Sequence, residues 1–322
     1  MKIDYMKESP NVLKEFFGYM ETVKGKSPRT VEEYFLDLRT FFRYLKQSRG
    51  TAPRGCDFSD IEISDVDLDF LSRVTLTEVF QYMNFLASVR KNGPAARSRK
   101  CSSIRALFNY LTAKTGKLEV NPVAELENPK LKSSLPKFLT LEQSIDLTKN
   151  IEGSHKERDY CIITLFLNCG MRLSELVGIN MSDMLSDNRL RITGKGNKQR
   201  MIYLNSASAD AVRAYLTVRP VDGVKDRDAL FLSSRKQRIS PKTVQYIVKT
   251  HLSSINLGQS MSVHKLRHTA ATLMYQHGDV DIRVLQDILG HESLGTTQIY
   301  THVSDERVKD AIDKNPLSKI KN

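Results

Sequence analysis

From Val31 to Leu45 apolar residues recur every three or four positions: Val31, Tyr34, Phe35, Leu38, Phe41, Phe42 and Leu45. That spacing predicts one buried stripe along an α-helix, with Arg39, Arg43 and Lys46 off it. Ser27 suits the N-cap and Pro28 the first helical position, so the helix should begin there. Three more stripes are visible. Val12, Phe16, Tyr19 and Met20 predict a helix ending near Gly25, and Val79, Tyr82, Met83 and Leu86 one ending near Gly93. Ile104, Leu107, Phe108 and Leu111 form the inner side of a helix that follows Pro94. Four helices with little strand propensity predict a small bundle. A long acidic connection, Gly50–Val74, joins the second helix to the third.

After Asn121 the periodicity lapses. Pro122, Pro129 and Pro136, with Lys130 and Lys132 among them, make a stiff basic stretch. The expected division is a helical domain over residues 1–120, a linker over 121–136 and a second domain over 137–322. The second domain reads as mixed α/β but mainly helical. Leu190 and Ile192, then Ile202 and Leu204, alternate on either side of the Gly194–Lys198 turn, which predicts a β-hairpin with a lysine at its tip. Helical patterns resume at Ala207, Pro241, His264, Ile282 and Glu306.

Charge changes the picture. The net charge of +12 favours an anionic partner, nucleic acid above all. The signs are also segregated. Arg90, Lys91, Arg97, Arg99, Lys100 and Arg105 stand in a run without an acid, and Asp57, Asp60, Glu62, Asp65, Asp67 and Asp69 in a run without a base. One face should attract phosphate and another repel it. No run of about 18 apolar residues is present to span a bilayer, and the start MKIDYMKESP carries no signal segment, so the expected compartment is the cytoplasm. The cysteines Cys56, Cys101, Cys161 and Cys169 form no CxxC pair. Neither a disulfide framework nor a zinc site is suggested, and Cys161 and Cys169 read as core fillers.

Four clusters of the second domain could carry chemistry. Arg172 in GMRLSEL opens a helix after an apolar run, where the dipole favours an anion. Lys195 lies between Gly194 and Gly196, which allow close approach of a nucleic acid. His264 and Arg267 share a helix face, suited to a phosphate, since arginine clamps two oxygens and histidine moves a proton near neutral pH. His268, four residues after His264, could make a zinc pair, but Lys265 stands where the glutamate of HExxH would be. His268 reads better as a buried helix histidine. His291 follows Gly290 at a helix end, and Tyr300 and His302 follow in TTQIYTH; His302 reads as structural. Taken singly, each cluster has an ordinary structural explanation.

Together, GMRLSEL, TGKGNKQR, HKLRHTAATLM, LQDILGH and TTQIYTH resemble the tyrosine recombinase family, its bacterial Xer branch most closely. SPRTVEEY and NPVAELENPK…LPKFLT extend the likeness over nearly the whole chain. The resemblance implies an N-terminal four-helix core-binding (SAM-like) domain and a tyrosine recombinase catalytic domain. It implies a catalytic set of Arg172, Lys195, His264, Arg267, His291 and Tyr300, with no metal and no cofactor. Tyr300 would attack DNA to leave a 3′-phosphotyrosyl link. Arg172 and Arg267 would grip the phosphate, with His264 as acid/base, His291 as phosphate ligand and Lys195 protonating the departing 5′ oxygen. Glu175 would orient Arg172 from behind. The implied partners are double-stranded DNA and three other protomers, in a homo- or hetero-tetramer on two DNA sites, with a second recombinase or an activating protein as further candidates. The C-terminal tail from Ser304 would dock on a neighbour or pack on its own domain.

The implied task is Xer-like chromosome dimer resolution. Alternatives are an integrase of a mobile element, a type IB topoisomerase, and a DNA-binding protein without catalysis. The complete catalytic set argues against the last. Two features depart from the family: Met171 stands where leucine is commoner, and the Gly50–Val74 connection is longer than in the best-known Xer proteins.

Overall fold

The computed structural model describes residues 4–129, 137–194, 198–278 and 280–290. The chain forms two compact units, Met1–Ser133 and Ser134–Asn322. Among the described residues the first is entirely helical: α1 (Tyr5–Glu8), α2 (Asn11–Thr22), α3 (Pro28–Ser48), α4 (Leu68–Ser72), α5 (Leu76–Ser88) and α6 (Pro94–Asn109), which runs into a π turn at Tyr110–Lys114.

Helix α3 is central, packing on α2, α5 and α6. Its apolar stripe is buried throughout except for the half-buried Tyr34, and with Phe16, Tyr82 and Phe108 it forms an aromatic core. The Ser27 hydroxyl accepts from the Thr30 N–H at 3.2 Å and Pro28 occupies the first turn, as the sequence led one to expect. The helices before α3 and α6 end earlier than their glycines: α2 stops at Thr22, and Gly93 is the N-cap of α6 rather than the end of α5.

The acidic connection is more than a tether. It contains α4, and Ile63, Val66, Leu71 and Val74 are buried in the same core. Lys46, expected off the α3 stripe, is buried; its ammonium donates to the Glu62 carbonyl at 2.9 Å and to Asp65 at 2.7 Å. The flexible lysine stem crosses the apolar edge of α3 to reach that carboxylate. Val123 and Leu126, in the stretch expected as linker, are also buried in this core.

The second unit contains α7 (Leu141–Lys149), α8 (Lys156–Cys169), α9 (Leu173–Gly178), a 3₁₀ turn at Met181–Asp183, β1 (Arg189–Thr193), β2 (Gln199–Tyr203), α10 (Ser206–Val218), α11 (Pro241–Ser254), α12 (Val263–His277) and α13 (Ile282–Leu289). Helix α8 is the hub, packed against α7, α10, α11 and α12. Its buried Cys161, Ile162, Ile163, Leu165, Phe166 and Cys169 account for a sequence apolar almost all round. The two cysteines are free and buried, and burial pushes both thiols up. Strands β1 and β2 pair antiparallel with Leu190 opposite Ile202 and Ile192 opposite Arg200, the hairpin that the alternation predicted. Ser240 caps α11 by accepting from the Thr243 N–H at 3.1 Å, with Pro241 in the first turn. The fold is thus mainly α with one small antiparallel sheet among the described residues.

Candidate active site

Helix α8 ends at Gly170, whose φ of 57° is left-handed. A side chain there would be strained, and an added Cβ would lie 2.6 Å from Leu289 Cδ2. The reversed chain then delivers Arg172 as the N-cap of α9. Three residues on, Glu175 turns back to accept from the Arg172 N–H at 2.7 Å, and its other oxygen accepts from the Arg172 guanidinium at 2.8 Å. Glu175 is 3% exposed.

Two more arginines converge on this carboxylate. Arg200, from β2, donates to both of its oxygens, at 2.8 and 2.9 Å. Arg267, from α12, lies 3.9 Å from it. Burial alone would raise the Glu175 pKa. The Arg200 bonds, the Arg172 N–H, the Arg200 charge and the Arg172 side-chain bond override that and bring it down to about 2.

The same three guanidiniums meet the last carbonyls of α13. Arg200 donates to Ile288 at 3.3 Å, Arg267 to Leu289 at 2.7 Å and Arg172 to Gly290 at 2.8 Å. Arg267 also donates to the Gly170 carbonyl at 2.6 Å. Helix C-termini leave such carbonyls without intrahelical partners and carry partial negative charge, so cations are favoured there. The end of α13, where the chain passes to His291, is therefore held by three charged forks.

The imidazole of His264 is exposed near the start of α12, one turn before Arg267. Desolvation on its protein side, then the charges of Arg267 and Arg172, hold its pKa below the ordinary value. His268, expected as a buried helix histidine, is only partly buried; its ring meets His264 edge-on at 4.6 Å. Desolvation, His264 and Arg267 lower its pKa to about 4. Among the described residues no three His, Cys, Asp or Glu side chains gather as a metal site requires.

The structure therefore brings together Arg172, His264 and Arg267, with Glu175 behind them. Arg172 keeps 37% of its side chain in solvent and Arg267 only 4%. Lys195, His291, Tyr300, His302 and the tail from Ser304 lie outside the described residues. Sequence reading passed over Arg200. Its signal was parity: Arg200 shares a strand face with Ile202 and pairs with Ile192, so a charged group was assigned to the apolar side of a hairpin.

The basic run in α6 also looks different in three dimensions. Lys100 is buried on Asp37 at 2.9 Å, Arg99 is shared between Glu33 and Asp37 at 2.9 Å each, and Arg105 donates to Asn128 at 2.6 Å. Part of the sequence cluster is structural, because α6 needs counterions where it packs on α3.

Residues 137–307 match the phage integrase family, and residues 13–115 match the phage integrase N-terminal SAM-like domain. The chain belongs to the phage integrase family. Within it, the chain is similar to the tyrosine recombinase XerC of Caldanaerobacter subterraneus subsp. tengcongensis, 54% identical over 310 residues that cover 96% of this chain and 88% of the relative. A tyrosine recombinase of Pseudothermotoga lettingae is 36% identical, covering 94% of this chain and 97% of the relative. Among solved structures, the fold matches the XerH site-specific recombinase in a post-cleavage complex with palindromic difH substrate (TM-score 0.70, 21% identity, 94% of this chain and 84% of that one). It also matches the Tn1549 transposon integrase in complex with circular intermediate DNA (TM-score 0.67, 18% identity, 94% and 99%).

Proposed function

We propose that this chain is an Xer-like site-specific tyrosine recombinase that cuts and rejoins double-stranded DNA through a 3′-phosphotyrosyl intermediate. The observation that carries the proposal is the convergence of Arg172 and Arg267 on Glu175 and the end of α13, with His264 on the same helix as Arg267. Phosphoryl transfer requires positive charge where the non-bridging oxygens gain charge, and two pre-placed guanidinium forks supply it.

In this reading Tyr300 is the nucleophile. Its hydroxyl, ordinarily with a pKa of about 10, must lose its proton as it attacks. The lowered pKa of His264 keeps the imidazole neutral at pH 7, so it can accept that proton. Lys195 protonates the 5′ oxygen as it leaves, and His291 binds the phosphate. The new phosphotyrosyl ester replaces the broken phosphodiester, so a second strand's 5′ hydroxyl can reverse the step without an energy cofactor.

The units act on one DNA site, joined by a linker that we shorten to residues 127–136, because Val123 and Leu126 belong to the first core. Four protomers hold two sites, and the protein works in the cytoplasm. No helix among the described residues is long and apolar enough to cross a membrane. The XerC relative at 54% identity favours the Xer task over element mobility.

The test is covalent trapping on sheared DNA from the source cell: detergent denaturation, recovery of protein-linked fragments and sequencing, beside Tyr300→Phe. Enrichment of one site with the native chain alone is expected. Adducts that persist in Tyr300→Phe would remove Tyr300 as nucleophile; good DNA binding without any adduct would replace the catalytic reading with DNA binding alone.

A further inference from the structure

Arg200 has no part in the mechanism above, yet every nitrogen of its guanidinium has a partner. Its Nη1 and Nη2 take both Glu175 oxygens and its Nε takes the Ile288 carbonyl. Its side chain is 16% exposed. A guanidinium on the apolar face of a hairpin is costly unless its donors are matched, and here all three nitrogens have partners. Such a group is poorly placed to bind a phosphate.

One glycine makes room for it and a second lies in contact distance. A Cβ on Gly290 would lie 3.1 Å from Arg200 Nη1 and 3.3 Å from its Cδ and Cζ. A Cβ on Gly194 would lie 3.5 Å from Glu175 Oε1 and 3.9 Å from Arg200 Nη1. Both flank candidate catalytic positions in the sequence: Gly194 precedes Lys195 and Gly290 precedes His291. Arg200 therefore reaches from the hairpin to the end of α13, and through Glu175 to Arg172.

We propose that Arg200 is a positioning residue, which fixes Glu175 and the C-terminal turn of α13 so that Arg172 is held in its working orientation. The proposal rests on the reading of Arg172 given above. The fork is essential to it. Bonding to two carboxylate oxygens and a carbonyl at once takes three donors in a plane, which lysine lacks. Glu175 would otherwise be a buried carboxylate able to draw the Arg172 guanidinium wholly onto itself. Arg200 occupies both of its oxygens and neutralises it.

The test uses the full chain with Arg200→Gln and Arg200→Lys, read in two ways. The first is hydrogen exchange without DNA. Arg200→Gln is expected to speed exchange about tenfold or more in peptides over Leu173–Gly178 and Ile282–Leu289, leaving α8 and the first unit unchanged. The second is the rate of covalent adduct formation on the duplex recovered by trapping. It should fall by ~10- to 100-fold with DNA affinity retained, as expected for a misplaced group, and Arg200→Lys should not restore it. In a Glu175→Gln background, Arg200→Gln should add less than about a twofold further loss.

Unchanged exchange at Ile282–Leu289 would overturn the proposal, as would additive losses in the double variant. A uniform rise in exchange across the second unit would make Arg200 merely structural and overturn it too. If exchange responds locally but the native chain forms no adduct, the tether is supported and the recombinase reading is what fails.

Discussion

The most deeply buried carboxylate of each unit lies among bases, Asp37 in the first and Glu175 in the second, and the two are used differently. In the first, Asp37 on α3 is 1% exposed and accepts from Lys100 and Ser103 of α6, at 2.9 and 2.8 Å, with Arg99 beside it. It joins two helices that the aromatic core already holds. In the second, Glu175 gathers three arginines that also bind successive carbonyls at the end of α13. Among the described residues the apolar packing of α13 is a small cluster, Ala271, Leu285 and Leu289, with Met274, Tyr275 and Val280 partly buried against it. Where a core is large, a buried ion pair adds specificity to packing. Where it is small, the ion network becomes the framework. The proposed role of the site, to offer guanidiniums to a phosphate, gives reason to build it in the second way.

The comparison is broken most directly by Glu175→Ala. It takes from Arg200 the carboxylate that both its terminal nitrogens bond, removes that charge from beside Arg267, and leaves the Arg172 N–H without its acceptor. Removing one partner of a buried ionic group costs about 4 kcal/mol. In thermal unfolding of the intact protein, this loss should appear in the second unit alone, with exchange protection of α3 unchanged. A shift smaller than that of the Asp37 variant below would reverse the ranking.

Acid should separate the units next. The folded Glu175 pKa is about 2, against about 4.3 for an unfolded glutamate. Its contribution is therefore complete above about pH 5 and is lost as pH falls towards 2, a change of about 3 kcal/mol. His264 and His268 also have depressed pKa values, so their neutral forms are favoured by folding. Stability that depends on them is present above about pH 6.5 and lost as pH falls; for His268 the loss ends near pH 4. All seven histidines lie beyond residue 133, so the first unit has none. Between pH 7 and 5 only the second unit should weaken, and His268→Gln should blunt that slope. Equal weakening of both units in this range, followed by hydrogen exchange corrected for intrinsic rate, would contradict the assignment.

Asp37→Asn should cost about 2 kcal/mol, because the amide still accepts from Ser103 but leaves the buried Lys100 without its counterion. Urea denaturation followed by exchange at α3 and α6 measures it. DNA affinity should fall only to the extent that Arg99 is released from its present orientation.

These two networks also mark how far the sequence could be read. The α3 stripe, the Ser27 and Ser240 caps, the hairpin alternation and the pairing of His264 with Arg267 all follow from local rules, since each involves residues a few positions apart. The functional class was legible from the order of motifs. Of the framework of the site, the Arg172–Glu175 pair was legible and the rest was not. The bonds that join Arg200, Arg267 and the end of α13 to that pair link residues 22 to 118 positions apart, and three of the acceptors are backbone carbonyls, which leave no mark on residue type. Lys46, read as off the α3 stripe, and Lys100, read within a phosphate-attracting run, are both buried for a related reason: charge composition does not say which base has a carboxylate opposite it. Arg200 did carry a local sign, its place on the apolar parity of β2.

The smallest expected effect serves as the control on the whole comparison. Helices α3 and α11 open with the same pattern, Ser-Pro-base-Thr: Ser27-Pro28-Arg29-Thr30 and Ser240-Pro241-Lys242-Thr243. The geometry is also the same, with hydroxyl pairs at 2.9 and 2.8 Å and cap bonds at 3.2 and 3.1 Å. A cap acts through the first turn of its own helix, so it should not sense whether the unit is held by aromatic packing or by an ion network. Ser27→Ala and Ser240→Ala should each cost about 1 kcal/mol. If the two losses agree within a few tenths of a kcal/mol while Glu175→Ala and Asp37→Asn differ by about 2, the contrast between the units lies in their buried charges. If Ser240→Ala costs much more than Ser27→Ala, the second unit is weaker everywhere, and the arginine network is a symptom of that weakness rather than its remedy.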